Sequence, residues 1–139
     1  MYGTPEPELM YFNYCGVIPS DILPEKIEGN FGLVWGDHYD LNESDSYFKY
    51  NNPHRASLYV ASGLPLIAWD KSPIADLISK YKIGIAVDSL DHIEKYLNSL
   101  SDEEYKSMKI NVLALRQDVI RGNFLIHVLD HILNDLNSP

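Results

Sequence analysis

The sequence predicts an α/β domain: a parallel sheet flanked by helices. Two features of the chain carry this reading. Short apolar runs of strand length alternate with segments of helical period along the chain. The run Leu64–Trp69 is apolar at every position, as in a strand buried on both faces, which is the habit of parallel sheets. Strands alternating with helices imply crossover connections and a parallel sheet.

The elements follow in order. Met1–Gly3 reads as the end of a strand, and Tyr11–Cys15 as the first complete one, ending at Gly16. Ser20 caps a short helix that runs through Glu28, with Gly29 as its stop. Phe31–Trp35 is the next strand. Residues 36–52 are long, polar and without periodicity, a functional type of loop. Asn52 is a good N-cap, Pro53 fits the first helical position, and the helix runs to Ser62 before Gly63 turns it off. The strand Leu64–Trp69 follows. Ser72 caps a helix from Pro73 to about Tyr81, and Ile83–Val87 is a further strand. Ser89 caps a helix with Leu90, Ile93 and Leu97 on one face. Ser101 and Glu104 make a capping box that opens a long helix, interrupted at Gly122, and Phe124–Leu136 forms the last one. The chain therefore reads as a single domain over residues 1–139, with 101–139 a C-terminal helical segment.

Composition excludes several classes of function. At 139 residues and 45% hydrophobic content, the chain builds one ordinary core. The net charge of −9 and pI near 4.8 exclude a nucleic-acid partner, whose affinity comes from Lys and Arg neutralising phosphates. No apolar run approaches the roughly 20 residues of a membrane span. The one cysteine, Cys15, allows no internal disulfide and reads as a small hydrophobe in an apolar strand. A cytoplasmic location is expected, since such a chain suits a reducing compartment.

The chemistry concentrates between Lys49 and Arg55. A helix start offers unpaired amides and the positive end of a dipole, so an anion is favoured there. Lys49 and Arg55 flank that start with fixed charge in an otherwise acidic chain, and Tyr50, Asn51 and Asn52 lie between them. The segment reads as a diphosphate site. The plain alternative is a well-capped helix with no ligand, and spacing leaves both open. In open α/β sheets ligands bind outside the carboxyl ends of the strands, which gather Gly16–Ser20, Trp35–His38, Trp69–Ser72 and Val87–Leu90 on one edge. Trp35 either stacks on a ligand or covers the core edge; Asp37 and His38 lie just past it. His127 and His131, four apart, share one helix face as zinc ligands do, but no third ligand is near in sequence and no metal is expected.

Phe31-Gly32-Leu33-Val34-Trp35, Tyr50-Asn51-Asn52-Pro53-His54, Leu58-Tyr59-Val60-Ala61-Ser62-Gly63-Leu64-Pro65 and Ile83-Gly84-Ile85-Ala86-Val87-Asp88-Ser89-Leu90 occur in this order. Together they resemble the C-terminal half of bacterial GT-B sugar transferases, in the group of galactofuranosyltransferases and of the glucosyltransferase that extends glycans on serine-rich adhesins. Asn13-Tyr14-Cys15-Gly16-Val17-Ile18-Pro19 fits the strand and loop before the first helix of that half. The resemblance implies a Rossmann-like domain that binds a nucleotide sugar, UDP-linked, with no other cofactor. It implies that Gly16 and Val17 receive the nucleobase, while Lys49, Tyr50, Asn51, Asn52 and Arg55 hold the diphosphate and sugar. It also implies that the first βα unit and the acceptor-binding N-terminal half are missing. The chain is then expected to be a fragment, a truncated reading frame or a split subunit, inactive alone and prone to pair with itself or with a partner. Two departures from the group stand out. Tyr50 and Leu58 occupy the places of a glutamate pair common in retaining members, so no carboxylate meets the ribose there. Trp35-Gly36-Asp37 replaces the group's Trp-Asp-Gly.

Overall fold

A computed structural model describes residues 15–19, 21–35 and 54–122. Three parallel strands form the sheet in the order β1 (Gly32–Val34), β2 (Leu66–Trp69) and β3 (Gly84–Val87). Helix α1 (Leu23–Lys26) precedes β1. Helix α2 (His54–Ala61) lies between β1 and β2, and α3 (Pro73–Tyr81) between β2 and β3. After β3 come a 3-10 turn (Leu90–His92), α4 (Ile93–Ser99) and the long α5 (Asp102–Ile120).

The apolar run that reads as a doubly buried strand is one. All four residues of β2 are buried, and Leu66 and Ala68 are fully so. Leu66 and Ala68 join Val34 and Ile83 of the sheet region, Ala56 and Val60 of α2, Ile74 and Ile78 of α3, and Val112 and Leu115 of α5 in one core. The other face of β2 and β3 lies under α4, where Ile67, Ile85 and Val87 meet Ile93, Tyr96 and Leu97. Fully burying such a side chain stabilises the fold by about 1.5–3 kcal/mol, so β2 and the helices on either side of it carry much of the stability.

Small residues set how closely these layers meet. The first rung of the sheet reads Gly32, Leu66, Gly84 across the three strands. A Cβ at Gly32 would overlap the ring of Tyr59 on α2, and one at Gly84 would overlap the Leu66 backbone. Gly63, at φ 73°, has the left-handed backbone the sequence assigns it. Its Cα side faces Leu113 of α5, whose Cδ2 would lie 3.1 Å from a Cβ there.

Helix α5 is tied to the amino edge of the sheet. Its Tyr105 hydroxyl donates to the Asn30 carbonyl at 3.2 Å, and Asn111 Nδ2 donates to the Lys82 carbonyl at 3.0 Å. Asn30 and Lys82 both lie just before strands, so α5 starts at the amino edge of the sheet. The predicted capping box opens it: Glu104 N donates to Ser101 Oγ at 3.3 Å, and Ser101 N donates to Glu104 Oε2 at 2.9 Å. The Ser101 backbone N–H, and then its hydroxyl, hold the Glu104 carboxyl below its usual range.

Several expectations are corrected. Cys15 is exposed and lies outside any strand; residues 11–14 of the expected strand, Met1–Gly3 and the Phe124–Leu136 helix lie outside the described residues. Helix α1 is a single turn rather than the span from Ser20 to Glu28: Pro24 has no N–H for a turn begun further upstream, and the backbone turns extended at Ile27, while Ser20 lies outside the described residues. Ser72 sits at the N-cap of α3, but its buried hydroxyl donates backward to the Trp69 carbonyl at 2.7 Å instead of capping. Ser89 does accept from Asp91 N, yet it opens a 3-10 turn ahead of α4, and Leu90 stays 43% exposed. Asn52 and Pro53 lie outside the described residues.

Two stability measurements check this packing. Gly84→Ala is expected to cost about 2 kcal/mol, since a strand backbone cannot swing aside as a flexible side chain does; a urea midpoint unchanged from the parent would overturn the close approach. Ser101→Ala is expected to cost about 1 kcal/mol at neutral pH. The carboxylate's share of the box is present above the ordinary carboxylate pKa and is lost as pH falls through Glu104's lowered value. The gap between variant and parent should therefore narrow in acid, as read by urea unfolding across a pH series.

Candidate functional site at the carboxyl edge

The parallel strands all end on one edge. Trp35 follows β1, Asp70, Lys71 and Ser72 follow β2, and Asp88 and Ser89 follow β3. The edge is stitched across β2 and β3 by Asp70 N donating to the Val87 carbonyl at 2.9 Å. Helix α3 also starts here, and the first described residues of α2, His54 and Arg55, are exposed. No carboxylate among the described residues forms an ion pair with Arg55. A first-turn cation opposes its own helix dipole, so a bound anion at this start would relieve a mild repulsion.

A cavity of about 590 Å³ runs along the open side of β1, between α1 and α2. Arg55, Leu58 and Tyr59 line it from α2, Leu23 from α1, Ile27 and Glu28 from the turn after it, and Phe31, Leu33 and Trp35 from β1 and its flanks. Its volume is that of a small-molecule pocket, and its walls are mostly apolar and aromatic, with Arg55 and Glu28 as the charged residues. A second cavity, of about 330 Å³, sits by Lys82, Gly84 and Glu104 at the amino edge, away from the strand ends where α/β sheets bind ligands.

Of the residues the sequence points to, Arg55 lines the larger cavity. Lys49, Tyr50, Asn51 and Asn52 lie outside the described residues, as do Asp37, His38, His127 and His131. Gly16 and Val17 are described in an irregular segment. Gly16 has φ 88° with open space where a side chain would be, and Val17 is 78% exposed. Neither belongs to the described lining of the cavity that holds Arg55. Sequence reasoning missed Tyr59 and Leu58 as lining residues. Their signal was present: both follow Arg55 by three and four residues, the spacing that shares a helix face.

Reading by residue type also missed a pair at the end of β3. His92 Nδ1 lies 2.7 Å from Asp88 Oδ1, both half-exposed. The bond to His92 holds the Asp88 carboxyl below its usual range. The spacing of four was legible, but it takes the 3-10 turn after Ser89 to bring the two together. On the same edge the Lys71 ammonium lies 6.0 Å from the Trp69 ring centroid, the outer limit of a cation–π contact. Among the described residues no cluster of three or more His, Cys, Asp or Glu is placed to hold a metal.

Comparison with known proteins gives this edge its context. The chain is 36% identical over 121 residues to the beta-1,6-galactofuranosyltransferase WbbI of Escherichia coli K12, covering 83% of this chain and 37% of that protein. It is 34% identical over 97 residues to glucosyltransferase 3 of Streptococcus gordonii, covering 69% of this chain and 29% of that one. Glucosyltransferase 3 of Streptococcus parasanguinis matches at 25% identity over 108 residues, 78% of this chain and 32% of that protein. The chain thus spans about a third of the length of the curated relatives it matches. The model of the glucosyltransferase 3-like C-terminal domain matches residues 1–132, in agreement with the resemblance carried by the motifs. The α/β chain with its cavity beside β1 belongs to the glucosyltransferase 3-like C-terminal domain family, a C-terminal domain of bacterial glycosyltransferases.

Proposed function

We propose that this domain binds the nucleotide-sugar donor, UDP-linked, of a cytoplasmic transferase that moves a hexosyl group to a glycan or glycoprotein. The observation that carries the reading is Arg55, in no ion pair with a carboxylate among the described residues, in the wall of a mostly apolar and aromatic cavity that runs along β1. Membership in a family of glycosyltransferase domains supports a sugar donor as the ligand.

The chemistry asked of these residues is electrostatic. Breaking the bond to the sugar leaves negative charge on the departing diphosphate, and cations and amides already aimed at that charge lower the barrier. Arg55, Lys49 and the amides at the start of α2 are the groups assigned to it. Aromatic walls such as Trp35 and Tyr59 suit the apolar faces of a nucleoside. Gly16 and Val17 remain assigned to the nucleobase on the resemblance alone. The acceptor is assigned to a further domain.

A second reading has its own observation. Leu33 is 42% exposed on β1, whose outer edge pairs with no described strand. Bare edges and apolar openings seek partners. A non-catalytic module that binds a nucleotide sugar, or assembles with a transferase or a second copy, fits that edge.

Four measurements test these readings. By titration calorimetry UDP should bind far better than uridine, because the phosphates carry the attraction; equal affinities would sink the diphosphate assignment. Arg55→Ala and Lys49→Ala should each weaken UDP binding about tenfold, the size of one charge-assisted hydrogen bond. Their thermal midpoints should stay near the parent's, as for surface changes. Purified alone, the 139-residue chain should transfer no sugar to any acceptor and at most hydrolyse donor slowly, so robust transfer would refute the acceptor assignment. Sedimentation over a concentration series should show self-association. A strictly monomeric species with a concentration-independent melting point would count against the open-edge module.

A further inference from the structure

We draw no further inference here: the strongest candidate, the apolar cavity along the open side of β1 between α1 and α2, belongs to the site already described, and nothing in the structure shows what covers the edge beside it.

Discussion

The placement of every group on the carboxyl edge depends on β2. It is hydrogen-bonded to β1 on one side and β3 on the other, and it is buried on both faces. Buried backbone groups without partners are costly, so a central strand is held by its neighbours as much as by its side chains. Because both ladders are in register from Leu66 onward, the three strands end together. The starts of α2 and α3 and the residues after each strand then share one level. A site of this type is a property of alignment, and its charges lie on exposed segments that the core holds in place.

The two faces of the sheet divide the packing between them. Toward α2, α3 and α5 it presents Gly32, Leu66 and Gly84, then Val34, Ala68 and Ala86. Toward α4 it presents the larger Ile67, Ile85 and Val87. The helix-rich layer can therefore sit close, and α5 is tied to the amino edge before β1 at Asn30 and before β3 at Lys82. The cavity opens where this arrangement stops, on the far side of β1. There the outer edge of β1 pairs with no described strand, Leu33 stays 42% exposed, and α1 is only one turn long.

Much of the fold was legible because its signals are local. The unbroken run to Trp69, the Gly63 turn, the Pro73 start and the Ser101–Glu104 box each state a backbone requirement within a few residues. The failures were competitions that propensity does not resolve. Ser72 has two acceptable uses for its hydroxyl and takes the carbonyl behind it. Leu90 reads as part of a helical stripe, but it lies in a 3-10 turn before α4 and stays exposed. The site was less legible than the fold. Arg55 could be singled out by charge and position, but the walls of its cavity come from α1, β1 and α2 together, and only tertiary packing assembles them.

Gly32 shows what a missing side chain does at this contact. It leaves a socket in the strand, and the Tyr59 ring fills the space. The two positions thus share one volume, and neither can drift freely. A larger residue at 32 would be tolerable only beside a smaller one at 59, so the pair should be non-additive in a double-mutant cycle and tied together over evolutionary divergence. Since Tyr59 also lines the cavity beside Arg55, a substitution at a glycine in the sheet would be felt as a change in the shape of the binding wall.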